Sequence, residues 1–272
     1  MTAASDLDAY FTRIGYTGPR TPTLATLHAI TAAHTSSIPF ENLSILMGQA
    51  IDLEIDALLA KLVHARRGGY CFEQNGLLLH VLGALGFKVA PLSARVRIDR
   101  PRDYIPPRTH VFLRVDVDGD TWLTDVGVGG LSLTSAIRLD TDAEQATPHD
   151  QRRIVREGAR LFHQVRFGDE WQDVCEFTLE EMPPIDRELG NWFTSAHPRS
   201  HFKNRLIVAR AASDGARLTL LNNELKVRRR GAAADRRLIA TADELLDVLR
   251  LHFGLSFPPD TRFGPAGSPW PT

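Results

Sequence analysis

A cysteine, a histidine and an aspartate are spaced along this chain so that they could act as a nucleophile, a base and an orienting carboxylate. Cys71 follows the pair Gly68-Gly69 and precedes an apolar run with helical spacing, which places its sulfur near the N-terminus of a helix. Unpaired N–H groups and the helix dipole favour an anion there, so a thiol at this position loses its proton more readily and becomes a nucleophile. The simpler alternative is an inert, buried cysteine, and a reactive thiol becomes the better interpretation only if a base lies nearby.

A predicted β-hairpin supplies the base and the carboxylate. Two runs with strand-like alternation flank the turn Asp118-Gly119, a dipeptide typical of tight hairpins. Folding the chain about this turn sets His110 opposite Gly127, with Asp125 about two positions along the ladder. Diagonal neighbours on one face of a sheet lie roughly 7–8 Å apart, which a His and an Asp side chain can bridge. The sequence therefore predicts a Cys71–His110–Asp125 triad whose last two members share one rigid hairpin.

Five segments around these residues resemble, in type and in order, the arylamine N-acetyltransferases. They are SIPFENL at 37–43, RGGYCFEQN at 67–75, THV at 109–111, WLTDVGVGG at 122–130 and WFTSAHPRSHF at 192–202. The resemblance implies that the triad takes an acetyl group from acetyl-coenzyme A and passes it to an arylamine, an arylhydrazine or an N-hydroxyarylamine. Because the acetyl group would rest on the cysteine between two half-reactions, ping-pong kinetics are expected.

The resemblance also implies an α+β fold in three parts with a triad arranged as in cysteine proteases. An N-terminal helical bundle (1–86) would carry the nucleophile, an antiparallel β-barrel (87–184) would carry the histidine and the aspartate, and an α/β lid with a C-terminal tail would occupy 185–272. The sequence pattern agrees, because helical spacing gives way at Lys88 to an alternation of period two. Beyond the hairpin, short strands are expected at 138–139, 153–155, 161–167, 171–178, 206–211, 218–221, 225–229 and 237–239.

Helices are expected at four places in the first part and two in the last. The first four cover 5–14, 23–33, 55–63 and the run behind the nucleophile at 75–85. The last two cover 187–196 and a segment ending at Phe253, which Thr241 and Glu244 would begin as a capping box. The Pro-rich tail from Pro258 predicts no regular structure, and we expect it to lie loosely over the surface.

Six residues would line the acceptor pocket by resemblance to the family: Phe40, Phe72, Thr109, Val128, Gly129 and Phe202. From the residues alone, a buried aromatic in a turn between helices explains Phe40 equally well. Three glycines within 127–130 allow close approach of the backbone to a ligand, and a flexible turn is the alternative. The segment lacks the Lys-Ser/Thr ending of a phosphate-binding loop. Family members often carry an aromatic residue where this chain has Val128, which makes the expected pocket less aromatic.

Composition and charge favour a small-molecule enzyme over a protein that binds nucleic acid or a membrane surface. The 272 residues are 43% hydrophobic and 24% charged, with a formal net charge of -1, which is an ordinary globular composition. No run approaches the roughly 18 apolar residues of a membrane helix, and the first ten residues do not resemble a signal peptide. We therefore expect a cytoplasmic protein with neither nucleic acid nor membrane as partner. A monomer or homodimer is expected, and the resemblance implies acetyl-coenzyme A as co-substrate.

No metal site is expected. The two cysteines lack the spacing of zinc ligands. His197 and His201 are four residues apart, but Pro198 opposes a helical metal-binding face. Cys175 lies on a predicted strand, and we find no histidine or charged partner for its thiol nearby in sequence, so we interpret it as part of the core.

Three other functions fit the same residues. A cysteine hydrolase or a transglutaminase-like enzyme would use the triad with water or a lysine as acceptor. A binding module would keep the triad as an inactive remnant, and a structural protein would not need it. Acylation of the protein by acetyl-coenzyme A and the reactivity of Cys71 discriminate among these functions.

Overall fold

Helices dominate the chain up to residue 84 in the computed structural model, which describes residues 3–265 and 268–271. The elements in order are α1 (Ala3–Ile14), α2 (Leu24–Ser37), β1 (Phe40–Glu41), α3 (Leu43–Leu46), α4 (Ile55–Leu58), a π-helical segment (Leu59–His64) and α5 (Cys71–Ala84). All four predicted helices are present, although the third changes from α- to π-helical geometry at Leu59. The fourth begins at Cys71. The strand β1 was not predicted.

Eight antiparallel strands follow and form a nearly closed barrel. They are β2 (Lys88–Val96), β3 (His110–Val117), β4 (Asp120–Thr124), β5 (Ile137–Arg138), β6 (Gln145–Ala146), β7 (Gln151–Glu157), β8 (Arg160–Phe167) and β9 (Glu170–Glu181). Their order in the sheet is β5-β4-β3-β2-β9-β8-β7-β6, and β5 comes into contact with β7. The predicted antiparallel barrel is therefore confirmed, with the two-residue strand β6 added.

The hairpin of β3 and β4 has the predicted register. Val117 pairs with Asp120 and Leu113 pairs with Thr124, so the turn consists of Asp118 and Gly119. Both turn residues have positive φ, 55° and 86°, as a type I′ turn requires. Continued past the end of β4, this register sets position 110 opposite position 127.

The last part of the chain packs two helices and a second sheet together. Its elements are α6 (Pro184–Ala196), β10 (Ile207–Ala211), β11 (Arg217–Leu221), β12 (Glu224–Arg228), β13 (Asp235–Leu238) and α7 (Ala242–Phe253). The sheet order is β1-β10-β11-β12-β13, so β1 from the helical part forms its edge. Phe40, for which a turn was one of two interpretations, lies in β1 and pairs with Ala209.

The start of α7 and the C-terminal tail were both predicted, with different outcomes. Thr241 Oγ1 accepts the N–H of Glu244 at 3.2 Å, which is one half of the predicted capping box. Glu244 Oε2 accepts the N–H of Ala240 at 2.8 Å. The tail is irregular as expected, but it is not loose over its described length. Phe263 is buried in the core of the C-terminal part, and the partly buried Trp270 packs against that core, because removing large apolar side chains from water is favourable.

Three apolar cores lie in the helical part, the barrel and the C-terminal part, and a fourth, smaller cluster surrounds Cys71. This small cluster is where α5, the hairpin, β1 and α6 meet. No helix in the described part of the chain is long and apolar enough to cross a bilayer.

Candidate active site

Cys71 is the first residue of α5, as the sequence predicted from the glycines before it. Glu73 holds the start of this helix, because its Oε2 accepts the N–H of Tyr70 at 3.1 Å. The cysteine is 4% exposed. A Cβ placed on Gly127 would lie 2.7 Å from the Cα of Cys71, so only a glycine lets the loop after Asp125 pack this closely on the helix.

His110 and Asp125 form a buried pair beside this cysteine. His110 Nε2 lies 2.7 Å from Asp125 Oδ2, with the two side chains 2% and 0% exposed. The other carboxylate oxygen of Asp125 accepts the N–H of Gly127 at 2.9 Å. Since Nε2 faces the carboxylate, Nδ1 is the ring nitrogen left for Cys71. The structure thus brings together the three residues that the sequence singled out.

Charges inside this group decide where its protons lie. Burial alone would lower the pKa of His110, but the charge and hydrogen bond of Asp125, with a further contribution from Cys71, raise it well above its usual value. Burial alone would raise the pKa of Asp125, but His110 and two other donors hold it below its usual value. His110 is therefore an imidazolium paired with a carboxylate across the neutral pH range.

Asn75 holds the carboxylate in place, a role that the sequence did not reveal. Its Nδ2 donates to Asp125 Oδ1 at 3.0 Å and to the carbonyl of Val111 at 2.7 Å, and its Oδ1 accepts the N–H of Val126 at 3.1 Å. Asn75 lies four residues after Cys71 on α5, so both side chains project from one face of the helix. This spacing was the available signal, because a polar residue one turn after a candidate nucleophile faces the same site.

The environment of Cys175 differs from its prediction as a core residue without polar neighbours. It is buried in the barrel core as expected. However, its Sγ and the nearest ligand atoms of His110 and Asp125 all lie within 4.8 Å of one another, because β9 lies next to β2 in the barrel and the buried Cys175 packs in the barrel core. Burial and the charges of Asp125 and Cys71 raise the pKa of the Cys175 thiol well above its usual value, so it is a neutral packing group there.

The three predicted pocket phenylalanines lie together around the nucleophile. Phe40, Phe72 and Phe202 belong to the apolar cluster that contains Cys71 and Tyr70. The ring centroids of Phe40 and Phe202 are 6.2 Å apart, and Tyr70 lies 5.7 Å from Phe72 and 5.8 Å from Phe202. This cluster gives the surroundings of the sulfur an aromatic character.

The other three predicted pocket residues contribute differently. The carbonyl oxygen of Thr109 lies 3.7 Å from Cys71 Sγ. Gly129 has a φ of 76° and packs against the ring of Phe40. Val128 is buried and packs with the apolar core of the barrel.

Comparison with known proteins extends over nearly the whole chain. An N-acetyltransferase family model matches residues 23–261. The arylamine N-acetyltransferase of Mycolicibacterium smegmatis is 48% identical over 93% of this chain and 92% of its own length. An arylamine N-acetyltransferase / N-hydroxyarylamine O-acetyltransferase of Salmonella typhimurium is 39% identical over 92% of this chain and 89% of its own.

A solved structure agrees with these sequence matches. The Mycobacterium marinum arylamine N-acetyltransferase in complex with CoA superposes with a TM-score of 0.87 at 41% identity, covering 91% of this chain and 92% of that one. Fold and sequence thus agree along the same length of chain that holds Cys71, His110 and Asp125. With its helices, barrel and C-terminal sheet in the same arrangement, the chain belongs to the arylamine N-acetyltransferase family.

Proposed function

We propose that this protein transfers the acetyl group of acetyl-coenzyme A to arylamines, arylhydrazines and N-hydroxyarylamines through an acetyl-cysteine at Cys71. One observation carries this proposal: the Cys71 thiol lies at the start of α5, beside the buried pair of His110 and Asp125. In that pair, His110 Nε2 lies 2.7 Å from Asp125 Oδ2. A nucleophile, a base and an orienting carboxylate are the parts that acyl transfer through a covalent intermediate requires. The coenzyme A complex of the M. marinum relative supports the donor.

The first half-reaction acetylates Cys71. His110 holds the proton that the thiol gives up, and Asp125 fixes the orientation of the imidazolium and stabilises its charge. The thiolate attacks the thioester carbonyl, and N–H groups in the first turn of α5 are candidates to hold the oxyanion that develops. The carbon–sulfur bond of the thioester then breaks, and coenzyme A leaves as the thiol with the proton from His110.

The second half-reaction transfers the acetyl group. An arylamine is weakly basic, so it is neutral and nucleophilic near neutral pH. Its nitrogen attacks the acetyl-cysteine, the bond between carbon and Sγ breaks, and the amine proton goes to His110. Cys71 returns as the thiolate beside the imidazolium, which the raised pKa of His110 favours.

The aromatic cluster supports an aromatic acceptor. Phe40, Phe72 and Phe202 surround the sulfur, and aromatic rings pack favourably against an aryl group. Val128 lies in the barrel core, so we propose that these phenylalanines and not residue 128 determine which amines fit. A thiol nucleophile stays reduced in the cytoplasm, and we propose that compartment.

Initial rates with both substrates varied test the mechanism. Ping-pong transfer predicts parallel lines in the double-reciprocal plot and loss of acetyl transfer in Cys71→Ser, because a serine hydroxyl is a far weaker nucleophile than a thiolate. Release of coenzyme A without any amine, at a rate close to that with amine, would indicate a hydrolase. Near-normal turnover in Cys71→Ser would contradict the acetyl-cysteine route.

A further inference from the structure

A buried carboxylate outside the triad gathers three guanidinium groups. Asp150, between β6 and β7, has a side chain that is 1% exposed. Its Oδ2 accepts Arg152 Nη2 at 2.9 Å and Arg217 Nε at 2.8 Å, and its Oδ1 accepts Arg228 Nη2 at 3.0 Å. Arg152 lies on the barrel, whereas Arg217 and Arg228 lie on the C-terminal sheet, so the cluster joins the two parts.

Two of these three arginines also hold the loop that follows Asp125. Arg152 Nη2 donates to the carbonyl of Leu131 at 3.0 Å, and Arg217 Nη1 donates to the carbonyl of Gly130 at 3.1 Å. The side chain of Arg228 is different: it contacts Asp150 and lies over the ring of Phe167 at 4.6 Å.

This loop, residues 127–131, touches each part of the candidate site. Gly127 packs on the Cα of Cys71, Gly129 packs on the ring of Phe40, and a Cβ on Gly130 would lie 2.5 Å from Thr219 Cγ2 on β11. A small shift of its backbone would therefore change the wall of the acceptor pocket.

The charges of the cluster suit a geometric role. Burial alone would raise the pKa of Asp150, but the three guanidinium groups hold it well below its usual value. One buried carboxylate thus faces three cations, and the two loop carbonyls supply further acceptors for them. Buried ion pairs add little net stability because desolvation offsets their attraction, and fixing one geometry is their better attested use.

We propose that Asp150, Arg152 and Arg217 are positioning residues that clamp loop 127–131 against Phe40 and Cys71 and so set acceptor binding. This inference rests on the proposed acetyl transfer. The clamp acts on the far end of the loop, because its donors hold the carbonyls of Gly130 and Leu131 and make no hydrogen bond to Cys71, His110 or Asp125 in the described part of the chain. Asp125 Oδ1 separately holds the N–H of Gly127 at the end nearest Cys71, so release of the far end should affect acceptor binding more than the reacting atoms.

Arg217→Met and Arg228→Met form a matched pair that tests the clamp. Each variant removes one guanidinium from Asp150, but only the first also releases the carbonyl of Gly130. For Arg217→Met we expect the KM for an arylamine to rise roughly tenfold, the size of one lost charge-assisted hydrogen bond, with kcat and the alkylation rate of Cys71 by iodoacetamide within about twofold of wild type. Arg228→Met should keep the KM within about twofold.

Amide hydrogen exchange over residues 127–133 supplies a readout that does not depend on the reaction. Bonds such as Ser132 N–H to Gly129 O protect this segment, so it should exchange faster in Arg217→Met than in Arg228→Met. If wild-type protein takes no acetyl group from acetyl-coenzyme A, the proposed function fails, while the exchange comparison still decides the clamp.

Equal effects of the two methionine variants on KM and on exchange would overturn the clamp. Should Arg217→Met not fold, Arg217→Lys replaces it: the ammonium keeps a charge for Asp150, but its single nitrogen cannot reproduce the separate guanidinium contacts. If neither Arg217 variant folds while Arg228→Met does, Arg217 is structural and the proposal is wrong.

Discussion

At the residue scale, the proton on His110 decides how Cys71 reacts. Burial alone would lower the pKa of His110, but Asp125 and Cys71 raise it well above the value of about 6.5 for an unfolded chain. The pair therefore stabilises the folded protein fully below about pH 6.5, and this contribution is lost as the pH rises through the raised pKa. The same proton keeps the imidazolium available across the neutral range.

Asp125→Asn removes the charge that raises the pKa of His110. We expect acetyl transfer to fall by a factor on the order of 10³ or more, as when an orienting carboxylate is lost from other triads. The alkaline limb of the pH profile should move to lower pH. The measurement is the rate of Cys71 alkylation and of acetyl transfer against pH.

Asp118→Asn is the matched control for this change. Its φ of 55° suits asparagine as well as aspartate, and it lies at the far end of the same hairpin. In Asp118→Asn, the pH profiles of Cys71 alkylation and of acetyl transfer should match those of the wild-type protein. A wild-type pH profile in Asp125→Asn would contradict the role assigned to Asp125.

The sequence predicted that Cys71, His110 and Asp125 lie close together, but it did not predict the residues packed around them. Cys71 could be predicted because glycines precede a helical run, and His110 and Asp125 because the Asp118-Gly119 turn fixes the register. The four-residue spacing from Cys71 indicates that Asn75 faces the same side of α5, but its contact with Asp125 depends on how α5 packs against the hairpin. The polar surroundings of Cys175 depend on how the barrel closes, and such packing between distant elements leaves no local pattern.

At the scale of elements, periodicity predicted the long helices and strands but not the shortest ones. A strand of two residues, such as β1, is too short to show alternation, and its pairing of Phe40 with Ala209 joins positions far apart in sequence. The change to π-helical geometry at Leu59–His64 keeps apolar residues inside, so it leaves no trace in the hydrophobic pattern.

Gly127→Ala tests the close packing of loop 127–131 on α5. The new Cβ would lie 2.7 Å from both the Cα of Cys71 and the Nδ2 of Asn75, so the backbone must move. We expect acetyl transfer to fall at least about 100-fold, as displacement of catalytic groups by about 1 Å does, and the free energy of unfolding to fall by about 1–3 kcal/mol from overpacking.

Gly83→Ala on the exposed face of α5 is the control. Within the described chain, outside the helix's own backbone, a Cβ there meets nothing closer than 4 Å, so activity should be unchanged and stability should rise by up to about 1 kcal/mol. The measurements are the rate of acetyl transfer and the free energy of urea unfolding for Gly127→Ala and Gly83→Ala. Wild-type activity in Gly127→Ala would show that the loop need not touch the helix so closely.

At the scale of the whole molecule, the parts predicted as separate domains are joined through shared elements. Asn42 in the helical part donates to the carbonyls of Phe202 and Arg205 and accepts the N–H of Ile207. The strand β1, which belongs to the first predicted domain, forms the edge of the C-terminal sheet. The domain boundaries at 86 and 184 stay a prediction.

His34 links three helices and makes global stability depend on pH. Its Nδ1 accepts the hydroxyl of Tyr10 at 2.8 Å and its Nε2 donates to Gln74 Oε1 at 2.6 Å. Burial lowers the pKa of His34 to about 4. The folded state therefore holds the neutral form, and stability present above about pH 6.5 is lost as the pH falls toward 4.

Urea unfolding at several pH values measures this loss. His34 alone should lower the free energy of unfolding by about 2 kcal/mol between pH 6.5 and pH 5, at about 1.4 kcal/mol per pH unit. His34→Gln should be less stable at pH 7 but should show a flatter dependence over this range. His64→Gln, a change at an exposed histidine, is the control, and its free energy of unfolding should depend on pH as in wild type. If His34→Gln also keeps the wild-type pH dependence, His34 is not the cause of it.

The intact mass of the protein after mixing with acetyl-coenzyme A and no amine tests the central claim most directly. We expect a gain of one acetyl group, lost on addition of an arylamine, present in Cys175→Ala and absent in Cys71→Ala. Free coenzyme A in the same tube distinguishes rapid hydrolysis of the adduct from a failure to react. If neither the adduct nor free coenzyme A appears, the acetyl-cysteine mechanism is wrong.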